Sequence, residues 1–148
     1  MLKCIAKHPP TKATEHAAGF DVYAPKDGVF SAEELVWGPY KGEYSRTKIN
    51  RIDLELCVEI PNGYYGQLVA RSGFAAKYGM LVLGGVIDSD YRGSIHLIGT
   101  CTHTFDYKAG DRIAQLIILP IAPFDRFETV DQLSSTDRGT GGFGSTGV

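Results

Sequence analysis

LVLGGVIDSDYRGSIHL, residues 81–97, is the stretch that decides the fold. Apolar runs at its two ends flank glycines, polar groups and one aromatic residue, a pattern that predicts two strands joined by a long hairpin. Gly84 and Gly85 lack side chains, so a flat ligand could lie against their backbone N–H and C=O groups. Asp88 lies beyond them, and the Tyr91 ring could close one wall. The hairpin predicts a base-sized slot with a carboxylate, and the alternative is a polar hairpin tip with a packed tyrosine.

The composition predicts one domain of the all-β class. With 148 residues, the chain is long enough for a single domain with a sizeable core. Its 18 glycines, and apolar residues that are mostly β-branched or aromatic, are typical of a turn-rich β fold. The formal charge of −2 argues against a general nucleic-acid or membrane surface, so phosphate binding would depend on a few local arginines. We therefore expect no nucleic-acid partner and no membrane partner.

The cysteine pattern gives a prediction of the cellular compartment. Cys4, Cys57 and Cys101 are odd in number and lack CxxC spacing, which predicts reduced thiols in an intracellular protein. Residues 1–19 contain no apolar run typical of a signal peptide, and the chain has no apolar run long enough for a membrane span. On this basis we expect a cytoplasmic or nuclear location.

Alternation of apolar and polar residues is strongest in residues 52–60, which predicts one continuous strand with one buried face. The turn PNG at 61–63 then predicts that residues 64–70 return as its antiparallel partner. In the poorly patterned segment 26–50, the SAEE of residues 31–34 suggests a helical turn. Further strands are expected at 1–6, 94–101 and 112–119.

The segment ARSGFAAKYG, residues 70–79, predicts the end of a strand followed by a short helix. Ser72 is a plausible N-cap for that helix, and capping alone could explain it. A second interpretation places a phosphate at the helix start, bound by backbone N–H groups around Gly73 and by the Arg71 guanidinium. Both interpretations stay open at this point.

Two isolated polar residues lie in apolar strands. Asp21 stands between Phe20 and Val22, and Gln115 interrupts the run RIAQLIIL. Asp21 is either a hydrogen-bond acceptor at a ladder end or a carboxylate directed at a site. Gln115 by itself carries little weight, because an amide in an apolar strand is usually hydrogen-bonded to nearby backbone.

The end of the chain, RGTGGFGSTG at residues 138–147, has the composition of a flexible tail. An arm that becomes ordered over a ligand would use the same residues differently. Arg138 would bind phosphate and Phe143 would stack on a base, while Ser145 and Thr146 would donate to phosphate oxygens. The residues of this segment are compatible with either description.

Five segments taken together resemble, in order, the five motifs of the trimeric dUTPases, the deoxyuridine triphosphate nucleotidohydrolases. They are AAGFDVYA (17–24), ARSGFA (70–75), GGVIDSDYRG (84–93), GDRIAQLI (110–117) and RGTGGFGSTG (138–147). The resemblance covers nearly the whole chain and implies an all-β fold, a distorted jelly-roll β-barrel of the β-clip type with one short helix, over residues 1–136. Residues 137–148 would form a flexible Gly-rich C-terminal arm that closes over the active site. The resemblance also implies a homotrimer with shared active sites.

The resemblance implies a role for each matching residue. Backbone groups around Gly85 would bind uracil, Tyr91 would pack on the deoxyribose, and Phe143 would stack over the base. Asp88 would be the catalytic residue that orients and deprotonates the attacking water. The implied substrate-binding residues are Arg71, Ser72, Gly73, Gly84, Gly85, Val86, Ile87, Tyr91, Gln115, Arg138, Phe143, Gly144, Ser145 and Thr146.

The implied reaction is hydrolysis of dUTP to dUMP and pyrophosphate by attack on the α-phosphate, which would lower dUTP and supply dUMP for thymidylate synthesis. The implied cofactor is Mg²⁺, held mainly by the substrate phosphates and contacted by Asp21 through water. Three departures from the family pattern, Ala70, Phe74 and Ser94, remove no catalytic group.

Two other functions fit parts of the sequence. A binding or regulatory module could keep the nucleotide slot and signal to a protein partner through the long loop at residues 29–48. The dCTP deaminases are related to the dUTPases and share the barrel and trimer, but their chemistry needs a Glu beside the base. Residues 84–93 contain no Glu.

Overall fold

The computed structural model describes residues 1–40, 42–124 and 126–142. Within these ranges the chain forms strands and one short helix, α1 (Ser72–Tyr78), so the all-β prediction is confirmed. The strands are β1 (Lys3–Ala6), β2 (Gly19–Tyr23), β3 (Gly28–Phe30), β4 (Glu33–Gly38), β5 (Gly42–Thr47), β6 (Asn50–Asp53), β7 (Leu56–Glu59), β8 (Tyr64–Val69), β9 (Leu81–Val82), β10 (Val86–Ile87), β11 (His96–Thr100), β12 (Phe105–Tyr107) and β13 (Arg112–Pro120). No helix in the described part of the chain has the length and apolar character needed to cross a bilayer.

The strands pair across long sequence separations. The largest sheet has the order β10-β8-β13-β2, and a second has the order β6-β11-β9. There are also three two-stranded ladders, β1-β7, β12-β3 and β4-β5, and one isolated bridge between Thr11 and Asp21. These ladders do not join into one closed barrel, and the sheets instead pack around a shared apolar core.

The buried face predicted for residues 52–60 is confirmed, but the single strand is wrong. Ile52, Leu56 and Ile60 are all buried, as the alternation requires. The ladder breaks at Glu55, whose φ of 49° lies in the left-handed region, and the Glu55 N–H donates to Asp53 Oδ1 at 2.9 Å. The break lets β6 pair with β11 and β7 pair with β1, so one apolar stripe serves two sheets.

The predicted partner of residues 64–70 is also wrong. Strand β8 forms where expected, but it lies between β10 and β13 rather than beside β7. The PNG turn is present, with the Tyr64 N–H donating to the Pro61 carbonyl at 3.2 Å. Because β1 pairs with β7, the chain leaves that ladder and enters the four-stranded sheet.

The helical turn suggested at residues 31–34 does not form. Strands β4 and β5 make a hairpin there, in a register that runs from Glu33 opposite Thr47 to Gly38 opposite Gly42. Val36 and Tyr44 face each other across this ladder, a pair of residue types that favours strands. An ion pair of 2.8 Å between Arg46 and Glu34 joins the same two strands.

Candidate functional site

The hairpin at residues 81–97 forms one wall of an open cavity of about 270 Å³. The hairpin forms with β9 and β11 as antiparallel neighbours, but β9 lies opposite Gly99 and Thr100, just beyond the predicted stretch. Six predicted site residues line this cavity: Gly84, Gly85, Val86, Ile87, Asp88 and Tyr91. The remaining lining residues are Arg51, Leu83, Ser94, Ile95, His96 and Ile98. The sequence therefore identified half of the wall.

Gly84 and Gly85 of the slot are each required, for different structural reasons. Both have positive φ, 70° at Gly84 and 83° at Gly85, which side chains rarely tolerate. A Cβ at Gly85 would lie 2.5 Å from the Leu68 carbonyl oxygen, so β8 packs directly against the backbone there. A Cβ at Gly84 would have no neighbour within 4 Å. Gly85 thus fixes the slot to the sheet, and Gly84 leaves the face above it open.

Asp88 is exposed at this cavity rather than sealed in the core. Among the described residues, no cationic side chain lies within 4.0 Å of its carboxylate. Its carbonyl oxygen accepts from the Tyr91 N–H at 3.2 Å, which closes the turn of the hairpin. The turn therefore fixes the backbone of Asp88, and the carboxylate is accessible to a water molecule or a ligand.

Tyr91 is 44% exposed, but its hydroxyl is anchored. The hydroxyl donates to the Ser94 carbonyl at 3.0 Å. Ser94 in turn donates its own hydroxyl to Asp53 Oδ1, a bond that joins the hairpin to β6. This bond and the Glu55 N–H hold the pKa of Asp53 below its ordinary value of 3.8. The sequence reasoning missed this network, although the spacing of Tyr91 and Ser94 within one turn could have suggested it.

A second group of predicted residues forms a separate cluster. Asp21 is only 8% exposed, and its carboxylate binds two guanidinium groups. Its Oδ1 lies 2.9 Å from Arg71 Nε, and its Oδ2 lies 3.3 Å from Arg112 Nη1. Gln115 is the cross-strand partner of Asp21 and donates Nε2 to the Ala70 carbonyl at 3.3 Å. None of these four side chains lines the hairpin cavity.

Arg112 was not predicted as a member of this cluster. It lies in GDRIAQLI, three residues before Gln115, and that proximity was the available signal. Arg71 Nη1 also donates to the Arg112 carbonyl at 3.1 Å, so the two arginines are directly hydrogen-bonded. The structure thus holds two positive groups against one buried carboxylate.

Ser72 is not the N-cap of α1. Arg71 occupies the cap position in an extended conformation, and no side-chain bond caps the helix. Ser72 is instead the first helical residue and is exposed, so the helix begins one residue earlier than the capping prediction assumed. A Cβ at Gly73 would have no neighbour within 4 Å, so the helix start is open.

The described part of the arm does not reach the cavity. Arg138 is exposed and donates Nε to the Gly141 carbonyl at 2.9 Å, while the Gly139 N–H donates to Thr136. Arg138 is not among the cavity-lining residues. The predicted arm residues Phe143, Gly144, Ser145 and Thr146 lie outside the described residues.

The described ranges contain no group of three or more His, Cys, Asp or Glu side chains placed to hold a metal ion. Oδ2 of the Asp21 carboxylate accepts from Arg112 and Oδ1 is ion-paired with Arg71, and each oxygen keeps a lone pair for a water molecule. Mg²⁺ usually keeps several waters and binds through one or two carboxylates plus substrate phosphates. The donor set fits an ion that is carried by a phosphate ligand and contacted through water.

Comparison with known proteins identifies the family. The dUTPase family model matches residues 6–147. A deoxyuridine 5'-triphosphate nucleotidohydrolase of Paramecium bursaria Chlorella virus 1 is 43% identical over 141 residues, which cover 94% of this chain and 89% of the viral protein. The fold is similar to that of the Staphylococcus bacteriophage 80alpha dUTPase solved with dUPNHPP, with a TM-score of 0.80 and 25% identity over 100% of this chain and 99% of that one.

A further solved structure supports the same fold. The dUTPase of phage phi11 of S. aureus, in a mutant form that shows the coordination of a structural Mg(II) ion, has a TM-score of 0.71 at 21% identity. That likeness covers 89% of this chain and 97% of that one. With these neighbours, the expected distorted jelly roll is confirmed. The chain therefore belongs to the dUTPase family, the dUTP diphosphatases.

Proposed function

We propose that the protein hydrolyses dUTP to dUMP and pyrophosphate by attack of a water molecule on the α-phosphorus, with Asp88 orienting and deprotonating that water. The observation that carries this proposal is the Asp88 carboxylate, exposed at a cavity that the backbone of Gly84 and Gly85 also lines. The phage 80alpha relative, solved with dUPNHPP, supports a deoxyuridine nucleotide as the ligand. A carboxylate is a weak base at neutral pH, so positioning of the water supplies much of the acceleration.

The slot formed by residues 84–87 would bind uracil through backbone groups. The adjacent strand β10 pairs with β8, at Val86 with Gln67 and at Ile87 with Gly66, so the slot wall is held rigidly. Backbone donors and acceptors in a fixed order favour uracil over cytosine, because an amine placed where a carbonyl is expected leaves buried groups unpaired. We expect the slot to be too tight for the 5-methyl group of thymine as well.

The cluster around Arg71 would bind the triphosphate. Arg71 and Gln115 supply donors, and the open helix start at Ser72 and Gly73 supplies backbone N–H groups. These residues do not line the hairpin cavity of their own chain. That separation supports a homotrimer in which the hairpin of one subunit faces the phosphate-binding cluster of another, with Arg138 and residues 143–146 of an arm closing the site.

Mg²⁺ is the proposed cofactor, with Asp21 contacting its water shell. When bound, the ion disperses the negative charge of the triphosphate and so lowers the barrier to attack at phosphorus. The chain's part is to hold Asp21 between two arginines, so that the carboxylate keeps one orientation. The phage phi11 dUTPase also holds Mg(II), as a structural ion, which is consistent with use of this metal.

We place this activity inside the cell, in the cytoplasm or nucleus, where it would lower dUTP and supply dUMP for thymidylate synthesis. A panel of dUTP, dTTP, dCTP and UTP, each with Mg²⁺, tests the proposal by pyrophosphate release. We expect rapid release from dUTP and release at least about 100-fold slower from the other three. Equal rates with dUTP and dTTP would contradict the proposed exclusion of thymine by the slot. Absence of pyrophosphate release from dUTP would contradict the proposed function.

A further inference from the structure

The far end of the Tyr91 side chain lies against the backbone of its own hairpin. A Cβ at Gly93 would lie 2.5 Å from Tyr91 Oη and 2.7 Å from Cζ. Only a residue without a side chain at position 93 leaves room for the ring in this place. The ring therefore folds back over Gly93, and its hydroxyl reaches the Ser94 carbonyl at 3.0 Å.

The Ser94 carbonyl accepts a second hydrogen bond. His96 Nδ1 lies 3.0 Å from the same oxygen, and because a carbonyl only accepts, Nδ1 carries the proton. Both lone pairs of the oxygen that anchors Tyr91 are thus engaged. His96 is also the direct cross-strand partner of Asp53.

The Ser94 hydroxyl ties this residue to the sheet. It donates to Asp53 Oδ1, and the same carboxylate oxygen accepts the Glu55 N–H at 2.9 Å. The low pKa of Asp53, due first to the Ser94 hydroxyl, keeps that acceptor ionised at neutral pH. Asp53 is therefore the fixed end of a chain of contacts that runs through Ser94 to the Tyr91 ring.

We propose that Gly93, Ser94 and Asp53 form a positioning unit that fixes the Tyr91 ring as the sugar wall of the nucleotide site and so sets discrimination against ribonucleotides. This inference rests on the proposed function, in which Tyr91 packs on the deoxyribose. Tyr91, Ser94 and His96 all line the cavity that contains Asp88, so a shift of the ring changes the space beside the sugar. A ring held at its hydroxyl leaves no room for a 2′-OH, and a released ring does.

The test compares kcat/KM for dUTP with kcat/KM for UTP in the full chain. Wild type should hydrolyse dUTP and reject UTP. Ser94→Ala and Gly93→Ala should each lower the dUTP:UTP ratio by about tenfold, through a lower KM for UTP, with kcat for dUTP within about twofold of wild type. Ser94→Thr keeps the hydroxyl and should restore most of the ratio.

The matched control is Ser45→Ala. Ser45 also donates its hydroxyl to a cross-strand carboxylate, Glu33 Oε2 at 2.5 Å, but in the β4-β5 hairpin. This variant should leave the ratio unchanged. A double-mutant cycle tests whether Ser94 acts through the Tyr91 hydroxyl. In a Tyr91→Phe background, Ser94→Ala should have no further effect on the ratio, because the bond from the Tyr91 hydroxyl to the Ser94 carbonyl is already absent.

The outcomes separate the two proposals. If wild type does not hydrolyse dUTP, the proposed function fails before the positioning unit is addressed. If wild type discriminates normally and Ser94→Ala and Gly93→Ala keep the full ratio, the positioning unit is overturned. Thermal unfolding checks that each variant is folded. Asp53→Asn weakens the acceptor of the Ser94 hydroxyl and replaces any variant that fails to fold. The same dUTP:UTP ratio decides its outcome.

Discussion

Arg71 Nε lies 2.9 Å from Asp21 Oδ1, so the arginine proposed to bind phosphate and the carboxylate proposed to face the magnesium shell are ion-pair partners. Arg112 binds the other oxygen of the same carboxylate. The pair orients both groups before any ligand arrives, which reduces the ordering needed on binding. It also makes Asp21 a structural residue as well as a site residue.

Asp21→Ala should lower the free energy of unfolding by about 1–3 kcal/mol, because it removes a buried carboxylate and leaves the half-buried Arg71 and the more exposed Arg112 without their acceptor. Urea denaturation measures this change. The control is Glu59→Ala, which removes an exposed ion pair with Lys3 of 3.2 Å and should cost less than about 1 kcal/mol. Equal effects of the two substitutions would show that the Asp21 cluster contributes no more than a surface pair.

Asp27 gives a prediction about acid stability. The Ala109 N–H, then the Lys108 ammonium, hold its pKa below the ordinary value of 3.8. A depressed folded-state pKa stabilises the fold at pH values above the unfolded pKa, and this stabilisation is lost as pH falls through the folded pKa. Wild type should therefore be more stable than Asp27→Asn at neutral pH, with the difference shrinking below about pH 4. Urea midpoints across this range measure it, and a difference that grows on acidification would contradict the assignment.

Glu55 gives a prediction about the break between β6 and β7. Its φ of 49° is costly for a residue with a side chain, so Glu55→Gly should be neutral or stabilising by up to about 1 kcal/mol. The same change at exposed Glu43, inside β5, should destabilise by about 0.5–1 kcal/mol. Thermal unfolding of the two variants compares them directly. If Glu55→Gly lowers the stability as much as Glu43→Gly does, the backbone at Glu55 is not strained.

Truncation after Asp137 should abolish most turnover of dUTP and leave the subunit folded. In the described part of the arm, Arg138 and Gly139 bond only to residues 136–141, and no described arm residue belongs to the apolar core. Turnover and sedimentation of the truncated chain are the two measurements. Full activity without the arm would remove Arg138 from the proposed site, and loss of the folded state would show that the arm supports the domain.

Local patterns predicted the hairpin and the buried face of residues 52–60, because side-chain periodicity depends on neighbouring residues alone. The break at Glu55 could not be predicted in this way, since it depends on β1 and β11, which pair with the two halves of the stretch. For the same reason the partner of β8 was wrong. A strand's neighbours are set by the competition of all strands for edges.

At the site, too, local features were predicted from the sequence and long-range contacts were not. The residues that line the slot are consecutive in sequence, and the motif resemblance identified them. Arg112 meets Asp21 across 91 residues, and Ser94 meets Asp53 across 41, so these contacts depend on register across sheets. Ser72 failed as a cap because the helix begins at Ser72 itself, with Arg71 in the extended cap position.

The central claim is that the exposed carboxylate of Asp88 activates the water that attacks the nucleotide. Asp88→Asn keeps the shape of the side chain and removes its basicity, so the measurement is pyrophosphate release from saturating dUTP and Mg²⁺, with binding of dUPNHPP measured in parallel. We predict that kcat falls by about 10²- to 10⁴-fold while the affinity for dUPNHPP stays within a few-fold of wild type. Turnover close to that of wild type would contradict the account.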